Sequence, residues 1–86
     1  MYKLSQKEFR KCSLERRYFL LKKHADYIGG RQHGLHRIHL FSFSGYFVEV
    51  WILIAFDQVQ WIEIQNNKSV LESYTENINI KKSLGL

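Results

Sequence analysis

Proline is absent from this 86-residue chain, and cysteine occurs only once, at Cys12. A lone cysteine excludes an intramolecular disulfide and favours a reducing compartment such as the cytoplasm. No internal repeat, low-complexity stretch or linker-like segment interrupts the chain. We therefore expect a single domain over residues 1–86.

Long hydrophobic runs are also missing. The longest apolar stretch covers residues 46–56 and contains Glu49, whereas a membrane-spanning helix needs about 20 apolar residues. The charged residues before Lys11 are not followed by the apolar segment of a secretory signal. These features predict a soluble cytoplasmic protein with no membrane span.

The motifs that identify common catalytic and nucleotide sites are absent, including nucleophile motifs, phosphate-binding loops and dinucleotide fingerprints. Four histidines suggest a metal site, but His36 and His39 fall on opposite faces if residues 35–43 form a strand. No cysteine pair or adjacent carboxylate completes a zinc-binding set around His33 and His36. We predict no catalytic residue, no metal and no cofactor.

A long N-terminal helix is predicted over residues 6–28. Ser5 and Glu8 have the spacing of a capping box, and Leu4 and Phe9 occupy the positions of a hydrophobic staple around it. The Gly29-Gly30 pair provides a helix stop. Apolar residues follow two stripes along this helix, and because one core requires only one stripe, the second indicates a further contact.

Three strands are predicted after the loop at residues 29–34, over residues 35–43, 46–56 and 59–65. Ser44-Gly45 is a two-residue hairpin turn candidate, and Asp57-Gln58 is a weaker one. Ser69 and Glu72 have capping-box spacing and open a short helix to residue 75 or 76, before a brief strand at 77–80. The order α-β-β-β-α predicts an α+β fold with an antiparallel three-stranded meander.

The middle strand is apolar on both faces, whichever way it points. Because the first helix covers only one face, we expect a second copy of the chain to cover the other and form a homodimer. The alternative is that the short helix and the apolar residues of the C-terminal tail fold back over it. The predicted dimer face consists of Phe41, Tyr46, Val48, Val50, Ile52, Ile54, Phe56 and Trp61.

Glu49 stands between apolar neighbours in the middle strand. A carboxylate in such a place must be paired, because burying an isolated charge is costly. We expect a buried acid that forms a salt bridge with the first helix, through Arg10, Arg17 or His24. A contact with a ligand and a catalytic role are the alternatives.

The positive charge is concentrated at one end. Residues 1–37 hold ten Lys or Arg against three acids, a charge of +7, whereas residues 38–86 carry −2. This segment is either a solvated helix face or a surface for an anionic partner, with Tyr18, Phe19 and Tyr27 available for stacking. The anion or partner patch predicted here consists of Arg10, Arg16, Arg17, Lys23, His24, Arg31 and Arg37.

Taken together, the sequence predicts a non-enzymatic, homodimeric interaction module. Its basic helix or an exposed strand edge would contact another macromolecule, such as a second protein. The alternative is a small nucleic-acid-binding protein or an RNA-cleaving, toxin-like enzyme. That alternative depends on size, charge and α+β composition alone.

Overall fold

A computed structural model describes residues 2–77 and shows an α+β fold in which helices pack on a four-stranded antiparallel sheet. The sheet order is β1-β2-β3-β4, so each strand pairs with its neighbour in the chain. Of the brief strand predicted at 77–80, residue 77 ends the last helix and residues 78–80 fall outside the described residues. The elements are α1 (Gln6–Lys11), α2 (Leu14–His24), β1 (Asp26–His33), β2 (His36–Phe43), β3 (Tyr46–Leu53), β4 (Gln58–Ile64) and α3 (Lys68–Asn77).

The N-terminal helix is two helices rather than the single one predicted. The capping box at Ser5 and Glu8 is present. At Cys12 and Ser13 the backbone becomes extended, and the Ser13 side chain accepts a hydrogen bond from the Arg16 amide and starts α2. Serine at this position caps a new helix in place of continuing the old one. The break lets Phe9 of α1 and Leu20 and Leu21 of α2 enter the same core.

Strand β1 replaces the end of the predicted helix, residues 26–28, and most of the predicted loop at 29–34. The strand was not predicted because glycine is depleted in strands. The strand has a bulge between Tyr27 and Gly29. At Gly30, a Cβ atom would lie 3.2 Å from the Tyr27 hydroxyl and 3.3 Å from the Ile38 carbonyl oxygen. Glycine at position 30 therefore allows the Tyr27 side chain and strand β2 to lie close to the β1 backbone, and it does not end a helix.

The hairpin between β2 and β3 is the one predicted from Ser44-Gly45. Both residues have positive φ, 52° and 87°, which matches the two-residue turns that follow the twist of paired strands. The second hairpin differs from the prediction, because β3 ends at Leu53 and a 3₁₀ turn, Ile54–Phe56, follows it. A register shift between Trp51 and Ile52 then places Trp61 opposite Trp51.

One face of the sheet, here called the helix face, packs against α1 and α2 of the same chain. It contains Val48, Val50 and Ile62, which are buried together with Phe9, Leu20 and Leu21 in one cluster. Alternation of side chains along β3 sends Glu49 and Trp51 to the opposite face, here called the acid face. The two faces of the middle strand therefore have different contacts.

Helix α3 contacts β1 and places Tyr74 on the acid face, where this residue is buried. The cap of α3 is Asn67 rather than the predicted Ser69. The Asn67 side-chain oxygen accepts hydrogen bonds from the amides of Ser69 and Val70. Over residues 2–77, no helix combines the length and the apolar character that crossing a membrane requires.

Candidate functional site

Most of the predicted dimer face lies inside the chain's own core, so these side chains are covered by the same chain rather than by a second copy. Tyr46, Val48 and Val50 are buried, because α1 and α2 cover the helix face. Phe41 and Ile52 are partly buried against the same cluster.

The other three predicted dimer residues lie elsewhere. Ile54 and Phe56 are exposed in the 3₁₀ turn at the end of the sheet. Trp61 is on the acid face, where its ring stacks on that of Trp51 with centroids 4.9 Å apart. The bulge in the β3–β4 pairing reverses the faces expected from strict alternation. The eight residues are therefore divided among the core, a turn and the opposite face.

Glu49 is fully buried at 0% exposure, and three side chains hold its carboxylate. Arg31 of β1 donates to one oxygen at 3.1 Å, and Tyr74 of α3 donates to the same oxygen at 2.5 Å. Gln65 donates to the other oxygen at 2.9 Å. The cationic partner is thus Arg31, and the expected salt bridge to the first helix is wrong. The enclosed carboxylate joins three segments of the acid face.

The Tyr74 hydroxyl lies between the two charged groups and accepts a hydrogen bond from Arg31 Nε at 3.2 Å. Burial, followed by the hydrogen bond to Glu49, raises the pKa of Tyr74, so the phenol keeps its proton and donates it to the carboxylate. Burial tends to lower the pKa of Arg31, but its bonds to Tyr74 and Glu49 outweigh this effect and raise it. The network is therefore a charged pair bridged by a neutral phenol.

The predicted cationic patch does not form one surface. The Arg17 guanidinium donates to the carbonyl oxygens of Phe9, Arg10 and Ile62, at 3.3, 2.7 and 2.6 Å. Arg17 therefore fastens α1, α2 and β4 together. The His24 ring stacks on Tyr2 with centroids 4.2 Å apart.

Two cations of the predicted patch, Arg16 and Lys23, lie on the outside of α2. The Arg16 guanidinium and the Lys23 ammonium each lie over the exposed Phe19 ring, at 5.5 and 5.6 Å from its centroid. One helical turn makes these three positions neighbours. Lys22, which was not in the predicted patch, lies 5.6 Å from the centroid of the Tyr18 ring. We call Arg16, Tyr18, Phe19, Lys22 and Lys23 the basic-aromatic surface.

Beside this surface, an open cleft of about 440 Å³ lies where one side of α2 meets the helix face of the sheet. Tyr18 and Lys22 form its α2 rim, and apolar side chains form most of the rest. The sheet contributes Tyr27, His39, Phe41, Val50 and Ile52, α2 contributes Leu21, and the residue after α2 contributes Ala25.

Tyr27 and His39 also line a second, more polar cleft of about 350 Å³, together with Gly30, Arg31, Gln32 and Arg37. The Tyr27 hydroxyl lies 3.2 Å from His39 Nδ1. Burial and then the charge of Arg37 lower the pKa of His39. The imidazole is therefore neutral near pH 7 and presents one donor and one acceptor nitrogen.

The remaining histidines lie on the acid face. His33 and His36 pair across β1 and β2, and the His36 ring lies 4.9 Å from that of Trp61. His36 Nε2 and Gln60 Oε1 are 2.6 Å apart. Within the described part of the chain, no three His, Cys, Asp or Glu side chains converge as metal ligands would.

The sequence prediction did not identify Tyr74 and Gln65 as partners of Glu49, or the cleft between α2 and the sheet. Tyr74 and Gln65 are 25 and 16 residues away from Glu49 in the chain, so local pattern contains no signal for them. Helix α2 buries Leu20 and Leu21 and leaves Tyr18 and Phe19 exposed, and periodicity does not determine which side of the helix packs on the sheet. Neither a family model nor a curated protein nor a solved structure matches this chain.

Proposed function

We propose that the protein is a non-enzymatic binding module that holds single-stranded nucleic acid against its basic-aromatic surface. The observation that carries this proposal is the exposure of aromatic rings among cations. Tyr18, Phe19 and Tyr27 are 42%, 49% and 57% exposed. The sequence alone was equally compatible with placing these rings in the core.

Exposed rings beside cations match the two contacts that a single strand offers. Each unpaired base has a flat face that stacks on an aromatic side chain, and each phosphate attracts Lys or Arg. Along α2, Phe19 lies between Arg16 and Lys23, while Tyr18 lies beside Lys22. Successive bases and phosphates can therefore meet alternating rings and cations.

The overall charge distribution supports the same partner. The +7 charge of residues 1–37 attracts a polyanion over a distance of about a Debye length, roughly 8 Å at physiological salt. An acidic protein would meet the same field but would leave the exposed rings without stacking partners. We therefore favour nucleic acid over an acidic protein.

A binding role is proposed in preference to RNA cleavage because of how the titratable groups are placed. Glu49 is enclosed by Arg31, Tyr74 and Gln65, so it contacts no substrate on the helix face. At the cleft, His39 is joined to Tyr27. The described residues that line this cleft include no second histidine and no carboxylate, whereas acid–base cleavage needs a pair of such groups.

The test is fluorescence anisotropy with labelled single-stranded RNA and DNA, compared with a duplex and with polyglutamate of similar charge. We expect the parent protein to prefer single strands. Its affinity should fall with salt, with a logarithmic slope of about −0.7 per phosphate contacted. Two results would overturn the proposal. One is an affinity for polyglutamate equal to that for single-stranded nucleic acid, and the other is an affinity for single-stranded nucleic acid that does not change with salt concentration.

Two variants test the surface directly. Phe19→Ala should weaken single-strand binding by about 5- to 150-fold, the value of one stacked base. The double change Lys22→Ala and Lys23→Ala should reduce the salt slope by about 1.4, for two phosphate contacts. Lys68→Ala, an exposed lysine at the start of α3, is the matched control and should bind like the parent. RNA shortened during incubation would instead support the cleavage alternative.

A further inference from the structure

We infer that the cleft between α2 and the sheet receives one unstacked base of the bound strand, with Tyr27 as its wall and Arg37 as a phosphate contact. This inference rests on the proposed function and names the subsite that reads a base. It concerns the helix face beside α2, whereas the basic-aromatic surface lies along the outside of α2.

The shape of the cleft supports a flat apolar guest. Phe41, Val50 and Ile52 line it from the sheet, and the exposed rings of Tyr18 and Tyr27 stand on α2 and β1. A base buries its faces against such side chains while its edges remain available for hydrogen bonds. The volume of about 440 Å³ is within the range of small-ligand sites.

The position of Tyr27 is fixed by its neighbours. Its ring lies 5.4 Å from that of His39 and 5.6 Å from that of Phe41, at interplanar angles of 61° and 70°. Gly30 leaves room for the pair, since a Cβ there would come within 3.2 Å of the Tyr27 hydroxyl and 3.4 Å of His39 Nδ1. A ring held in place by packing stacks on a base at a lower entropic cost than a mobile one.

The two clefts that share Tyr27 and His39 differ in their charged and polar side chains. On one side is the apolar cleft, with Lys22 at its rim, and on the other is the polar cleft, which contains exposed Arg37 and Gln32. Arg31 also lines the polar cleft, but its guanidinium is bonded to Glu49 on the acid face, whereas Arg37 is exposed and is the cation we assign to the phosphate. An apolar slot next to a cation matches a nucleotide, whose base and phosphate are neighbours. His39 lines both clefts and lies between them.

The experiment compares a single-stranded oligonucleotide with an abasic strand of the same length, which keeps the phosphates and lacks the bases. Tyr27→Ala removes the ring beside the cleft, and Ala25→Leu fills the cleft from the end of α2. Both should weaken binding of the normal strand by about 5- to 150-fold and leave binding of the abasic strand unchanged. Phe56→Ala removes a 74% exposed ring that does not line the cleft, and it should change neither affinity.

The results separate this inference from the proposed function. If the parent binds no single strand, both fail. If Phe19→Ala weakens binding while folded Tyr27→Ala and Ala25→Leu bind like the parent, the surface binds nucleic acid and the base subsite is refuted. Circular dichroism of each variant establishes folding, and Tyr27→Ala alone decides the outcome if Ala25→Leu does not fold. An equal loss on normal and abasic strands would likewise refute a base in the cleft.

Discussion

Replacement of Arg31 by methionine tests the buried network of the acid face. Methionine keeps an unbranched apolar stem next to Trp51 and Tyr74, whose rings lie 5.5 and 5.6 Å from the Arg31 guanidinium carbon. It removes the charge that faces Glu49 at 3.1 Å. The carboxylate would keep its bonds to Tyr74 and Gln65 but lose its cationic partner.

Removing one member of a buried ion pair typically costs about 3–5 kcal/mol, because the remaining charge stays buried. Glu49 is 0% exposed, whereas the Arg31 side chain is 18% exposed, so we expect about 3 kcal/mol, the lower end of the range. A domain of this length has a total stability of about 4–13 kcal/mol. With a urea slope of about 1.5 kcal/mol/M, the unfolding midpoint should fall by about 2 M.

Urea unfolding followed by tryptophan fluorescence measures the change, since Trp51 lies next to Arg31. Arg37→Met is the matched control, because Arg37 is exposed on the neighbouring strand, and it should change the stability by less than about 0.5 kcal/mol. The double variant Arg31→Met/Glu49→Leu should recover part of the loss, because no charge is left buried. The recovery is incomplete because the buried Tyr74 hydroxyl loses both of these partners. A loss in Arg31→Met no larger than that in Arg37→Met would refute the assignment of Glu49 as a charge held by Arg31.

Two further predictions concern the histidine of the cleft and the β2–β3 turn. Because the pKa of His39 is lowered in the folded state, the unfolded chain binds the proton first, and stability falls as the pH drops below about 6.5. His39→Gln should reduce this acid loss in pH-dependent urea unfolding, and an unchanged profile would contradict it. Gly45→Ala should cost about 1 kcal/mol, since φ is 87° there. Its Tm should fall by about 4–8 °C, and a constant Tm would disprove strain at this turn.

The elements with strong local signals were predictable. The Ser5 and Glu8 capping box and the Ser44-Gly45 turn are determined by residues within a few positions of each other, and both are present in the structure. The α+β class follows from these signals and from the apolar runs between them. The break at Ser13 was missed because a serine after an apolar position is compatible with both a continuing helix and a new cap.

Strand β1 and the β4 register depended on interactions that local pattern does not contain. Gly29 and Gly30 weaken the strand signal, and the strand exists because β2 supplies the pairing partners. A single bulged position between Trp51 and Ile52 exchanges the faces of β4 residues, since side chains alternate with a period of two. Trp61 therefore joined Trp51 on the acid face instead of the predicted dimer face.

The sequence alone determined the α+β class, the first helix cap and the central hairpin, because each depends on residues close together in the chain. It also determined the charge asymmetry and the position of Glu49 among apolar neighbours, which depend on composition and on adjacent residues. Tertiary structure decided that Arg31, Tyr74 and Gln65 enclose Glu49. It also decided that the rings of Tyr18, Phe19 and Tyr27 face solvent. The partners of Glu49 lie far from it in the chain. The burial of a side chain, the cleft beside α2 and the geometry of these hydrogen bonds are determined only when the helices pack on the sheet.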